Sequence, residues 1–225
     1  MIDLQNNVHF LGNGVTLNEK IKCRLIDFIE NQNKILYRGM KAPSNMENSK
    51  FIHLLSNVGE KSNWFKGDNL DTLIYEQCDF DDREVYNHVC GRQENSAYVS
   101  SSEDFLVALN FSKNNEEGIP YVIMFFTKDS DKTVSTGYLD YEEESEVLLL
   151  HAIYPNRIIG IIREADNQSD KMYDLFINKN LLRCLQLDEN LGCAGTRTEF
   201  EVDQSRFEEE NKELGNKAYG IKRSI

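Results

Sequence analysis

The chain is 225 residues long, with hydrophobic residues at 40 % and aromatics at 10 %, enough apolar surface for a folded core and too much for a chain disordered throughout. Its formal charge of −13 repels a phosphate backbone over most of the surface, which argues against a nucleic-acid target while leaving room for a local basic patch. No apolar run approaches the length of a membrane span, and the start, Met1-Ile-Asp-Leu-Gln-Asn-Asn7, lacks the pattern of a secretory signal, so a soluble protein without a cleaved leader and with no membrane partner is expected.

The first element in chain order is a helix over residues 16–31. Thr16-x-x-Glu19 has the form of a capping box, and Leu17, Ile21, Leu25, Phe28 and Ile29 follow helical spacing. Lys34-Ile-Leu-Tyr-Arg-Gly39 then reads as a short strand ending at a glycine, where the backbone can turn or approach a ligand closely. Residues 41–96 are rich in Asn, Asp, Ser and Lys and predict only short helices and loops. Ala97-Tyr-Val-Ser100 predicts a strand, and Ser102-Glu-Asp-Phe105 a capped helix start running to about Phe111.

Pro120 to Thr127 is an apolar, aromatic and β-branched run of strand length, suited to a central position buried on both faces. A polar connection follows over 129–144. Glu146–Leu150, Arg157–Arg163 and Met172–Ile177 supply three more strands. Beyond residue 198 the chain turns charged, as a solvated helix or tail would. The sum is an α+β chain whose second half is dominated by sheet. The odd number of scattered cysteines points to reduced thiols, and the four dispersed histidines form no zinc-type cluster on the sequence, so no metal is expected.

Three segments carry chemistry. Arg38, at a strand end before Gly39, can fork onto a phosphate or carboxylate; a plain surface arginine is the bland alternative. In Tyr98-Val-Ser100-Ser101-Ser102, the hydroxyls can donate to a carboxylate or a ribose; for Ser102, simple N-capping is the competing and favoured explanation, whereas Ser100 has no such duty. The acidic run Glu142-Glu-Glu-Ser-Glu146 enters an apolar strand. A solvated loop would account for most of it, but Glu144 and Glu146 have strand spacing and can face one pocket. Two carboxylates so placed suit chemistry at a sugar C1 carbon, where positive charge develops as a leaving group departs. Phe111, three residues after Ala108 on a helix, reads as core and is left out of the site.

In this order, Leu36-Tyr-Arg-Gly39, Tyr98-Val-Ser-Ser-Ser and Glu144-Ser-Glu-Val-Leu148 resemble the Arg-Ser-Glu class of mono-ADP-ribosyltransferases. Ser101 stands where that class has threonine, and residues 41–96 and those after Leu150 depart from its pattern. The resemblance implies an ADP-ribosyltransferase-like split β-sandwich core with N-terminal helices, one catalytic domain over 1–198 with a divergent 41–96 insert, and a charged tail over 199–225. It implies NAD as co-substrate, contacted by Arg38, Gly39, Ser100, Ser102 and Glu146. Arg38 would hold the pyrophosphate, and the Gly39 backbone the nicotinamide carboxamide. Ser100 would orient Glu146, which would stabilise the oxocarbenium-like transition state. Glu144 would activate the acceptor, with Tyr138 and Tyr141 touching it.

The acceptor so implied is a macromolecule, protein arginine ahead of nucleic acid, with NAD hydrolysis or an inactive binding module of the same fold as alternatives. Such enzymes are often toxins or effectors, which adds a neutralising antitoxin or host activator to the expected partners. It also adds delivery into a host cytosol to the expected cytoplasmic location.

Overall fold

The computed structural model describes residues 2–12, 14–42, 44, 47–48, 50–52, 55, 59–61, 81–92, 96–113, 117–129, 131–136, 146–150, 152–165 and 172–185. The elements in chain order are β1 (Val8–Gly12), β2 (Val15–Thr16), α1 (Glu19–Glu30), β3 (Lys34–Ala42), β4 (Glu60–Lys61), α2 (Asp82–Val89), β5 (Tyr98–Ser102), α3 (Phe105–Ser112), β6 (Ile119–Thr127), β7 (Thr133–Ser135), β8 (Glu146–Leu150), β9 (Ala152–Ile153), β10 (Ile158–Glu164), β11 (Tyr173–Ile177) and α4 (Lys179–Cys184). Nine strands form one sheet in the order β2-β1-β11-β10-β6-β3-β5-β8-β7, and β4 pairs β9 in a second, two-stranded sheet. Among the described residues every strand pairing is antiparallel except that of β1 with β11. The architecture is therefore α+β, with a large mixed sheet and few helices. The expected tail over 199–225 lies outside the described residues, as does most of 41–96.

β6 occupies the middle of this arrangement because its side chains are apolar on both faces. Val122, Met124 and Phe126 pack with α1, α3 and α4 on one face through Leu25, Ile29, Phe105, Leu109 and Leu181. Tyr121, Ile123 and Phe125 join Leu36, Phe51, Leu55, Val99 and Ile161 on the other. Each of the six is buried, and at about 25 cal/mol per Å² of apolar surface removed from water this strand is a principal anchor of the core.

Several expectations need correction. Helix α1 begins at Glu19 and is capped by Asn18, whose side chain accepts from Ile21 N–H at 3.0 Å; Thr16 cannot serve, because it belongs to β2, opposite Leu11. β3 runs through Gly39 to Ala42, held by a nine-residue register with β6. β5 extends to Ser102, so the cap of α3 is Asp104, which accepts from Leu106 N–H at 2.7 Å. Ser102 Oγ instead accepts from Asp104 N–H at 3.0 Å, outside the helix. Strand β7 lies within what reads as a polar connection, α2 is a short helix within 41–96, where short helices are expected, and β1, β2, β4, β9 and α4 are elements beyond those expected.

Asp131, just before β7, is tied to Arg157, just before β10. The guanidinium donates through Nε at 2.7 Å and Nη2 at 2.9 Å, both side chains are largely buried, and the guanidinium also lies over the Phe126 ring. A bidentate pair removed from water is costly to break, because the surviving charge is left without its partner. Asp131→Ala is expected to lower unfolding stability by about 2–4 kcal/mol. Urea denaturation measures this, and a loss within about 0.5 kcal/mol, as for an exposed pair, would contradict it.

Candidate active site

Strands β3 and β5 are neighbours in the sheet, yet one register pair joins them, Tyr37 opposite Ser102. From that point they diverge. The opening is a cavity of about 340 Å³ lined by residues of β3, α2, β5, α3 and β8, among them Arg38, Gly39, His88, Ser100, Ser102 and Glu146. Five of the residues singled out from the sequence thus share one cleft. Glu144, Tyr138 and Tyr141 lie outside the described residues.

Arg38 bridges the divergence. Its Nη1 donates to the Ser100 carbonyl at 2.7 Å, and Nη2 lies 3.5 Å from Glu60 Oε1. Glu60 belongs to β4 and is 1 % exposed, so a buried carboxylate from the two-stranded sheet faces the guanidinium. Of the five N–H donors of an arginine, each terminal nitrogen keeps one beyond these contacts. The arginine can therefore meet an anion while remaining anchored.

Gly39 meets a different requirement from the one its position suggests. A Cβ there would lie 2.0 Å from the Ala108 carbonyl oxygen and 2.8 Å from Ser112 N. Helix α3 therefore docks against bare β3 backbone, and this close approach is of strand to helix. The docking also aims the flank of α3: Phe105, Ala108, Leu109 and Ser112 face the core, while Val107 and Phe111, one turn apart, line the cleft. Phe111 is accordingly not core. It is 51 % exposed and forms an aromatic wall of the cavity.

On β5, alternation sends Ser100 and Ser102 to one face and Ser101 to the other. Ser101 is buried and its Oγ donates to the Val147 carbonyl at 2.6 Å, which stitches β5 to β8. Ser102 is the residue opposite Glu146 in the ladder, whereas Ser100 is opposite Leu148. Ser100 Oγ lies 2.8 Å from His88 Nε2. Glu146 is partly exposed, and the hydroxyl of fully buried Thr136 lies 3.3 Å from both its carbonyl oxygen and Oε2, a long and weak tether.

His88, Glu60 and Thr136 are further site neighbours, beyond the residues expected from the sequence. Only for His88 was a signal present: it lies three residues after Val85 and one before Val89 on α2, where an amphipathic helix places an apolar side chain. Burial, and secondarily the positive charge of Arg38, push the imidazole down to about 4, so it is neutral at physiological pH. Among the described residues there is no group of three or more His, Cys, Asp or Glu placed to hold a metal ion, and no helix long and apolar enough to cross a membrane.

No family model matches the sequence, and no curated protein matches it. Among solved structures the chain is similar to one named EcPltA, with a TM-score of 0.43 and 12 % identity over 66 % of this chain and 86 % of that one.

The depressed His88 has a measurable consequence. Between about pH 4 and 6.5 the unfolded chain binds a proton at this imidazole that the folded chain does not, so stability is fully present above the unfolded value and is lost as pH falls toward 4. Allowing for partial exposure of the ring, the loss attributable to His88 is about 1–3 kcal/mol. Urea unfolding of wild type and His88→Gln at neutral pH and near the lower limit should differ by this amount; parallel pH profiles would rule it out.

Proposed function

We propose that the chain is a mono-ADP-ribosyltransferase of the Arg-Ser-Glu class, moving ADP-ribose from NAD to a macromolecular acceptor, with protein arginine as the expected acceptor. The observation that carries this reading is the convergence of Arg38, Ser100 and Glu146, distant in sequence, on one cleft. The separation of β3 from β5 beyond a single register pair supports a split β-sandwich in which the cleft opens at the split.

The donor set suits NAD. Arg38 offers an anchored guanidinium to the pyrophosphate, Val89, Val107 and Phe111 offer an apolar flank to a heteroaromatic ring, and the hydroxyls of Ser100 and Ser102 face ribose oxygens. Glu146 brings a carboxylate to the ribosyl carbon. The bond from that carbon to the nicotinamide nitrogen breaks with its electron pair leaving on nicotinamide, and Glu146 stabilises the positive charge that develops. The acceptor nitrogen then bonds to the same carbon and loses its proton to a carboxylate, the part expected of Glu144. A chain of formal charge −13 favours an arginine-bearing protein surface over a nucleic-acid backbone as the partner.

The test is incubation with labelled NAD and cell lysate. Wild type should label a macromolecule in a protease-sensitive, nuclease-resistant manner, and Glu146→Gln should lower the rate by about 10²–10³-fold. Nicotinamide release without labelling would identify a hydrolase, and nuclease-sensitive label a nucleic-acid acceptor. Turnover unchanged in Glu146→Gln would end the proposal.

A further inference from the structure

Ser96 precedes β5, is 2 % exposed, and belongs to none of the segments already assigned chemistry. Its Oγ lies 2.6 Å from His88 Nδ1 and accepts the Tyr98 N–H at 3.0 Å. On the far side of the same ring, Nε2 lies 2.8 Å from Ser100 Oγ. Tyr98 closes on the imidazole edge to face, with ring centroids 5.7 Å apart. The imidazole is therefore gripped at both nitrogens and along one edge, and the serine at its inner end is the more deeply buried.

Hydrogen counting decides the direction of this chain. A serine hydroxyl has one hydrogen and two lone pairs. The Tyr98 N–H occupies one lone pair of Ser96, and among the described residues no acceptor other than His88 Nδ1 is within reach of the Ser96 hydrogen. Turned elsewhere, that hydrogen would be a buried donor without an acceptor. It therefore goes to Nδ1. A neutral imidazole that accepts at Nδ1 carries its hydrogen on Nε2, and Nε2–H donates to Ser100 Oγ. The hydrogen of Ser100 is left unused by the protein network.

We propose that Ser96 is a positioning residue that holds His88 in the Nε2–H tautomer and so makes Ser100 a hydrogen-bond donor into the cleft, toward a carboxylate or a ribose oxygen. In the opposite tautomer the Ser100 hydrogen would be consumed on Nε2, and only its lone pairs would face the cleft, where they repel the carboxylate oxygens of Glu146 and can meet a ribose hydroxyl only by accepting from it. The tautomer assignment stands on geometry alone. Its kinetic consequence rests on the ADP-ribosyltransferase reading.

Imidazole ¹⁵N resonances, assigned to His88 by their absence in His88→Gln, test the assignment in the intact protein. Wild type at neutral pH should show a pyrrole-type Nε2 and a pyridine-type Nδ1; the reverse pattern overturns the proposal without recourse to any variant. Ser96→Ala should shift the ring toward the other tautomer, and Ser96→Thr, which retains the hydroxyl, should preserve it. An unchanged tautomer in Ser96→Ala also overturns the proposal. With NAD as substrate, Ser96→Ala should lose about tenfold in kcat/KM and Ser96→Thr should recover it. A shifted tautomer with unchanged kinetics would refute the role given to Ser100. Absence of NAD turnover in wild type would instead fell the transferase reading while the resonances still decide the tautomer.

Discussion

One guanidinium ties β3 to β5 where a single register pair joins the two strands. β3 is fully paired on its β6 side, from Lys34 to Ala42, and barely paired on its β5 side, so its free edge would expose backbone donors and acceptors to the interior. Arg38 crosses that gap to the Ser100 carbonyl, with Glu60 behind it. Besides this bridge the two strands are linked by one register pair, by the ion pair of Lys34 with Glu103 at 2.6 Å and by α3, which lies across β3 at Gly39. Ser100, held in register opposite Leu148, and Glu60, held opposite Ile153, both meet the guanidinium. A buried carboxylate is tolerable there because a cation faces it, and the cation is held in one orientation because the carboxylate cannot move into water.

The second organising device is polar and neutral. Ser96, His88 and Ser100 form a chain of hydrogen bonds beside a charged group, and the proximity of Arg38 is one of the reasons the imidazole does not take up a proton. Uncharged, it can act as a rigid relay of hydrogen-bond direction. A protonated ring would donate from both nitrogens and would set Ser96 against its own hydrogen. The same low dielectric that disfavours the imidazolium strengthens the hydrogen bonds that remain.

How far the sequence could be read depended on whether a feature is local. β6 was legible because eight consecutive residues carry the signal, and the seven from Tyr121 to Thr127 are buried in the folded chain. Arg38, Ser100 and Glu146 could be picked out as candidates because each lies in a short patterned segment that is itself a strand. The strands β1, β2, β7 and β9 were not, since pieces of two to five residues owe their conformation to neighbours far along the chain. Glu60 and Thr136 are isolated polar residues whose meaning appears only when distant elements meet, and Ser96 acquires its own only once α2 folds His88 against β5, although His88 itself leaves a helical-spacing signal. Gly39 and Phe111 show a subtler failure: residue type was read correctly as special or aromatic, but the reason depended on how closely α3 lies against β3.

The parallel pairing of β1 with β11, Val8 opposite Tyr173, has a consequence for biosynthesis. β1 cannot pair with β11 until the chain has been made as far as Ile177, since paired residues such as His9 and Asp174 are 165 positions apart, and among the described strands β2 is its other partner. Closing so long a loop is entropically slow. Between the making of β1 and of β11 the nascent chain therefore carries Val8 and Phe10 without their native cover, and that interval is when a chaperone has something to hold.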